Sequence, residues 1–290
     1  MAPIRLSARY PDPSLPQVLI PPLACDCHAQ VLGPSDRFAY VARAAYIPAD
    51  APKEVLFLRH ALLGFDRGVL VQSSYHGADN GALLEAIAAG GGAYRGVAIL
   101  DPRGDAQCLD RLEAAGVVGI RLDFSGRLHG RLNDEDRDAM FNAATLRGWH
   151  LEIDATPQDF GALDALLGGF QGRVLLNRIG GVLPEDEAGR RALCNLLART
   201  PRLWVKLNGA AGPAARGPDD AQIVPLLRAV LEVAGERCVW GTGWPHAGLE
   251  GPGPDEGRLI DHLSTACPNP TVLRQVLVDN PGRLYWPEQS

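Results

Sequence analysis

The stretch RCVWGTGWPH, Arg237 to His246, passes from a short apolar segment into a loop bearing glycine and proline. Arg237–Thr242 reads as a strand, and Gly243–His246 as the loop leaving its carboxyl end. Seven earlier segments have the same form: Leu23–His28, Gly68–Ser73, Gly96–Leu100, Val118–Asp123, His150–Asp154, Arg173–Asn177 and Leu203–Leu207. Strands that are apolar on both faces belong to parallel sheets covered on both sides. Helical stretches separate them. Asp50 is placed to cap one that carries Pro52 in its first turn and ends before Gly64, and Thr156-Pro157 starts another that stops near Gly168. Longer helices fit Asp134–Arg147, Pro184–Arg199, Ala221–Ala234 and Thr271–Val278.

Eight strands, each followed by helix, predict an α/β fold of the (β/α)8 TIM-like barrel type. An open doubly wound sheet is the alternative, but the glycine-rich turn of a dinucleotide fold is absent after Leu23–His28. The Gly90–Gly92 run closes a helix as a turn. Residues 1–21, with Pro3, Pro11, Pro13, Pro16 and Pro21, are expected to form an extended arm, and residues 22–290 one barrel domain.

The chain has 290 residues and a net charge of −6, with no dense run of Lys or Arg. That balance argues against a nucleic-acid or anionic-membrane partner and for a small substrate. The six cysteines are scattered through apparent strands and helices; Cys25 and Cys27, two apart on one strand, point the same way without forming a normal disulfide. Buried reduced thiols in a cytoplasmic protein are expected. Oligomeric state is left open.

In such a barrel, function sits where the strands end. Read in order, those ends offer Cys27, His28 and Gln30; Gln72 to His76; Asp101; Arg121 and Asp123; Glu152 and Asp154; Asn177 and Arg178; Lys206 and Asn208; then Thr242, Trp244 and His246. Arg121, Arg127 and Arg178 stand out, because converging guanidinium forks suit a dicarboxylate or another oxyanion. The competing reading pairs each with a carboxylate such as Asp123 or Asp154. His76 suits loop hydrogen bonding better than catalysis, whereas His246, after Pro245 on the last loop, is a candidate catalytic imidazole. A metal needs three or four convergent ligands. Gln30 is a poor one and Arg178 would repel a cation, so neither metal nor cofactor is expected.

At these residues the chain resembles the amidohydrolase superfamily, in particular the branch containing 2-pyrone-4,6-dicarboxylate lactonase. The segments that carry the likeness are DCHAQVLGP (26–34), AYIPAD (45–50), LGFDRGVLVQSSYHGADN (63–80), GIRLDF (119–124), WGTGWPH (240–246) and NPGRLYW (280–286). The resemblance implies the same barrel and metal-free hydrolysis or isomerisation of carboxylated lactones. It places His28 near the lactone and Tyr46, Ser74, Arg121 and Arg127 on substrate carboxylates; Gln30, Tyr75 and Arg178 join them as candidate binding residues. The departures concern chemistry. The usual first-strand His-x-His is His28 and Gln30, the usual sixth-strand Asp-His is Asn177 and Arg178, and the usual last-strand Asp is Gly243. Asp123 stands where a neutral amide is usual and Asp154 where an aromatic is, so either is a candidate relocated base. The reading is a lactone hydrolase or its reverse, with catalytic His28, Asp123, Asp154 and His246. An isomerase is the alternative, and a non-catalytic ligand-binding protein the third.

Overall fold

The computed structural model describes residues 4–5, 11–41, 46–102, 104–124, 133–208, 221–247 and 253–289. Ten strands run through them: β1 (Ile4–Arg5), β2 (Cys25–Ala29), β3 (Tyr46–Ile47), β4 (Arg67–Val71), β5 (Tyr94–Ala98), β6 (Val117–Asp123), β7 (His150–Asp154), β8 (Val174–Leu176), β9 (Leu203–Asn208) and β10 (Cys238–Gly241). β1 and β3 pair with each other, and the other eight form one parallel sheet in chain order from β2 to β10. The eight expected strands are all present, with ends shifted by a few residues.

The sheet closes on itself where β10 meets β2. Gly243 donates its N–H to the His28 carbonyl at 2.8 Å, and Gln30 donates to that of Trp244 at 2.8 Å. The buried Asp26 side chain completes the seam: it accepts from the Thr242 hydroxyl at 2.6 Å, the Thr242 N–H at 3.0 Å and the His28 N–H at 2.9 Å. A Cβ on Gly241 would lie 2.5 Å from the backbone nitrogen of His28, so the strands approach this closely only because residue 241 is glycine.

Helices α1 (Lys53–Leu63), α2 (Gly81–Ala89), α3 (Ala106–Ala114), α4 (Asp134–Arg147), α5 (Phe160–Gly169), α6 (Glu187–Arg199), α7 (Ile223–Ala234) and α8 (Glu256–Ala266) follow the strands and bury their apolar faces on them. Asp50 does not cap α1. Pro52 holds the cap position, and Asp50 instead accepts from Ser35 and from the Tyr40 hydroxyl at 2.7 Å. Thr156 does open its helix, through a capping box with Asp159. The expected Thr271–Val278 helix is part of a longer helical run, α9 (Pro270–Arg274), a wide turn over Gln275–Asp279 and α10 (Asn280–Tyr285). That run ends in Tyr285 and Trp286, which pack with Cys25, Cys27, Val69, Val97 and Val239 and plug the amino-terminal end of the barrel. All six cysteines are free thiols, but only Cys25, Cys27 and Cys238 are buried as expected; Cys108, Cys194 and Cys267 are half-buried.

Residues 11–21 lie without regular structure against the helices. Ser14 and Gln17 donate backbone N–H groups to Asp255 and Asp261, and Arg59 donates to the Pro11 carbonyl. Among the described residues, no helix is long and apolar enough to cross a membrane.

Candidate active site

On β7 the residues at every second position, His150, Glu152 and Asp154, share the interior face, and all three are buried. Arg121 on β6 is in register with Glu152, and Asp123 with Asp154. From β9 comes Lys206, fully buried. His28 joins them because the pairing of β2 with β4 slips between Asp26 and Ala29. That irregularity lets Asp26 face the barrel seam while His28 lies beside Lys206.

Two charge clusters result. In the deeper one, Lys206 Nζ is 2.8 Å from Glu152 Oε1 and 3.3 Å from His28 Nδ1, while Glu152 Oε2 is 3.8 Å from His150 Nε2. In the outer one, Arg121 places Nε and Nη2 at 2.8 and 2.7 Å from Asp154 Oδ2, and its Nη1 donates to the Gln72 carbonyl at 2.8 Å. Arg178 Nη2 approaches the other oxygen, Asp154 Oδ1, at 2.9 Å. Arg121 and Asp154 are buried, but the Arg178 side chain is 37% exposed, so that guanidinium faces both the carboxylate and solvent.

Arg178 is held there at a conformational cost. Arg178, Ile179, Gly180 and Gly181 all have left-handed φ values, of 49°, 52°, 63° and 64°. For the two residues with side chains this costs about 1–2 kcal/mol each. Full burial of Ile179 offsets part of it. Asn177, at the start of this turn, is wholly buried, and neither of its amide atoms has a hydrogen-bond partner among the described residues.

The charges set the protonation states. Burial pushes the Asp154 carboxyl upward, but the Arg121 and Arg178 guanidinium groups more than reverse it and hold it below its ordinary value. Glu152 behaves alike: burial opposes ionisation, and Lys206, with His150 and His28 beside it, pulls the carboxyl well below the usual range. Burial and then the Lys206 charge, partly countered by Glu152, lower His28 from 6.5 to about 3. The folded chain therefore leaves His28 neutral between those values while the unfolded chain protonates it. Stability is full above pH ~6.5 and falls as pH drops toward 3, by up to ~1.4 kcal/mol per unit. Denaturant midpoints should show this slope between pH 5 and 6.5, above the range of ordinary carboxylates. In His28→Asn the slope should shrink, and His76, also lowered by burial, supplies part of what remains. An unchanged slope in that variant would assign it elsewhere.

The other expected residues fall in several places. Gln30 is half-buried and Tyr75 half-buried, and Ser74 is exposed. His76 pins loops, accepting from Gly33 N–H at Nε2 and donating Nδ1–H to the Ala39 carbonyl. His246 turns to Glu256 at 3.2 Å, which also binds Arg59 on α1, so its contacts lie among the outer helices and not with the His28 group. Arg127 and the side chains of Tyr46 and Asp123 lie outside the described residues. Lys206 and Glu152 were visible at the strand ends but without a role. The signal is charge inside buried strands, LWVKLN and HLEID.

The Amidohydrolase family profile matches residues 25–286. The 2-pyrone-4,6-dicarboxylate hydrolase of Comamonas testosteroni is 33% identical, over 97% of this chain and 95% of its own length. The D-galactarolactone isomerase of Agrobacterium fabrum is 30% identical, over 77% of each chain. The crystal structure of an apo protein from Agrobacterium tumefaciens superposes with a TM-score of 0.78 at 26% identity, covering 93% of this chain and 98% of that one.

Proposed function

The chain belongs to the amidohydrolase family, and on that premise we propose that it opens, or in reverse closes, the ring of a small lactone bearing carboxylate groups. The observation that carries this reading is the Arg121–Asp154–Arg178 cluster beside His28 at the strand ends. Two guanidinium groups already arranged around one carboxylate are preorganised for a second, and the more exposed Arg178 is the one able to release toward substrate. The relative named for a pyrone dicarboxylate supports a carboxylated ring.

In hydrolysis, the oxygen of water bonds to the lactone carbonyl carbon, the ring C–O bond breaks, and the ring oxygen takes a proton. A donor from His28 and an arginine would stabilise the oxyanion that forms. A base must take the proton from water. Asp154, ionised and committed to two arginines, suits orientation of those arginines better than proton abstraction. Asp123, its neighbour across β6 and β7, is then the carboxylate to test. Gly243 in place of the usual last-strand Asp favours a second reading, isomerisation without an activated water, as does the relative named as a lactone isomerase. Turnover in heavy-oxygen water separates the two, since label enters the product only in hydrolysis. Ligand binding with no turnover of any lactone would contradict both.

The chemistry of the donor set supports a reaction without a metal. Gln30, Arg178 and Gly243 occupy the positions at which the resemblance places metal-compatible residues, while His28 Nδ1 faces an ammonium and the two Asp154 oxygens face guanidinium groups. Purified protein is expected to hold well under one equivalent of zinc, with activity unaffected by chelators. Stoichiometric zinc whose removal abolishes turnover would overturn this. A net charge of −6 also supports action on small molecules, with neither nucleic acid nor membrane as partner, and six free cysteines support a cytoplasmic protein.

Arg178→Met is expected to weaken binding of pyrone dicarboxylate by about 1.5–3 kcal/mol, the worth of a charge-assisted hydrogen bond. Calorimetric titration of the folded variant tests it. Unchanged affinity would make Arg178 a structural partner of Asp154 alone. Arg121→Met is the harsher version, because it also strips a buried carboxylate of its closest cation.

A further inference from the structure

We propose that Lys206 is a positioning residue that fixes the proton of the His28 imidazole on Nε2. The inference deepens the lactone reading, on which its catalytic meaning rests, but the geometry stands without it. Lys206 is fully buried, and its ammonium nitrogen lies at hydrogen-bonding distance, 3.3 Å, from His28 Nδ1. An ammonium has only donors, so the nitrogen facing it must present a lone pair. A proton on Nδ1 would point at a cation instead. The group that could reward such a proton, Glu152 Oε1, is 3.6 Å from Nδ1, too far for a hydrogen bond, and is already 2.8 Å from Lys206.

The charged groups facing the ring come from three strands: Lys206 on β9, Glu152 and Asp154 on β7, and Arg121 on β6. Burial and the two cations outweigh the two carboxylates and keep the second proton off. The ring is therefore neutral, with Nδ1 committed to the barrel interior and Nε2–H left as its donor. His28 can then stabilise negative charge on a carbonyl oxygen, but it cannot accept a proton from water through Nε2. Lys206 thus sets the direction in which His28 acts, without touching the substrate itself.

Nitrogen-15 NMR of the full chain labelled at histidine tests this, with the His28 signals identified by their loss in His28→Gln. In wild-type protein from pH 8 to pH 5, the expected spectrum shows a bare Nδ1 and a protonated Nε2 that do not titrate. Lys206→Met should give mixed tautomers and protonation at a higher pH than in the wild type, because one lowering charge is gone and Glu152 remains opposite the ring. Where turnover is measurable, kcat/KM of that variant should gain an acid limb at the same pH. Should Lys206→Met fail to fold, Lys206→Met with Glu152→Leu removes both charges and should still release the tautomer. A protonated Nδ1 in the wild type, or the wild-type tautomer persisting in either folded variant, overturns the proposal. If neither variant folds, the wild-type spectrum decides it. Failure of the wild type to turn over any lactone counts against the functional reading and leaves the tautomer result standing.

Discussion

Glu152→Gln is expected to lower the unfolding free energy by about 3–5 kcal/mol, the range for removing one partner of a buried ion pair. The wild-type pair is fully enclosed, with both side chains at 0% exposure, and the Lys206 ammonium has Glu152 at 2.8 Å. The glutamine amide keeps the shape and an acceptor oxygen but no longer neutralises the buried ammonium, and the imidazole nitrogen 3.3 Å away is neutral too. The loss stays at several kcal/mol, below the far larger cost of an isolated buried charge, because the amide oxygen can still accept from the ammonium. The control is Lys206→Met with Glu152→Leu. Replacing both charges by apolar groups of similar volume is often neutral, so the double variant should recover most of what the single one loses. Urea midpoints and slopes measured for both would show it. A loss under about 1 kcal/mol in Glu152→Gln would mean that water reaches the pair.

The barrel was legible because its signal is redundant: eight apolar segments at strand length, punctuated by helices, leave few other arrangements. Details that depend on one hydrogen bond were not. Asp50 has the right residue type for a cap, but its oxygens are taken by Ser35 and Tyr40 from a loop that sequence cannot place beside it. The same limit applied to the site. Alternation along β7 gives the face shared by Glu152 and Asp154, but not that one sits under Lys206 while the other is clasped by arginines. His28 reaches that group only through the irregular pairing of β2, which an apolar strand pattern does not announce. The left-handed turn that presents Arg178 runs against the preferences of arginine and isoleucine, and only Gly180-Gly181 hinted at it. The place of His246 in the last loop makes it a candidate but does not show what it pairs with. Its partner Glu256 belongs to α8, and nothing local to WGTGWPH signals that pairing.

Asp123→Asn is expected to lower kcat/KM for a carboxylated lactone by ~10²–10⁴, the usual loss when a general base is removed. Gly243→Asp, which restores the residue usual at the last strand, should not raise the rate and should cost ~1–3 kcal/mol of stability. The reasons lie in the backbone. Gly243 has φ of +78° and donates its N–H to the His28 carbonyl across the seam. Aspartate tolerates that conformation better than most residues, but it would adopt it on a loop anchored on both sides, by Thr242 to Asp26 and by Trp244 to Gln30. Rates and denaturant midpoints for the two variants, with the triple variant Gly243→Asp, Arg178→His, Gln30→His beside them, decide between two histories of the site. Efficient hydrolysis by Gly243→Asp alone would show that the other polar changes are incidental. Loss of activity in Asp123→Asn, with recovery of a different lactonase only in the triple variant, would show that the strand ends were rebuilt together around the Arg121–Asp154–Arg178 cluster.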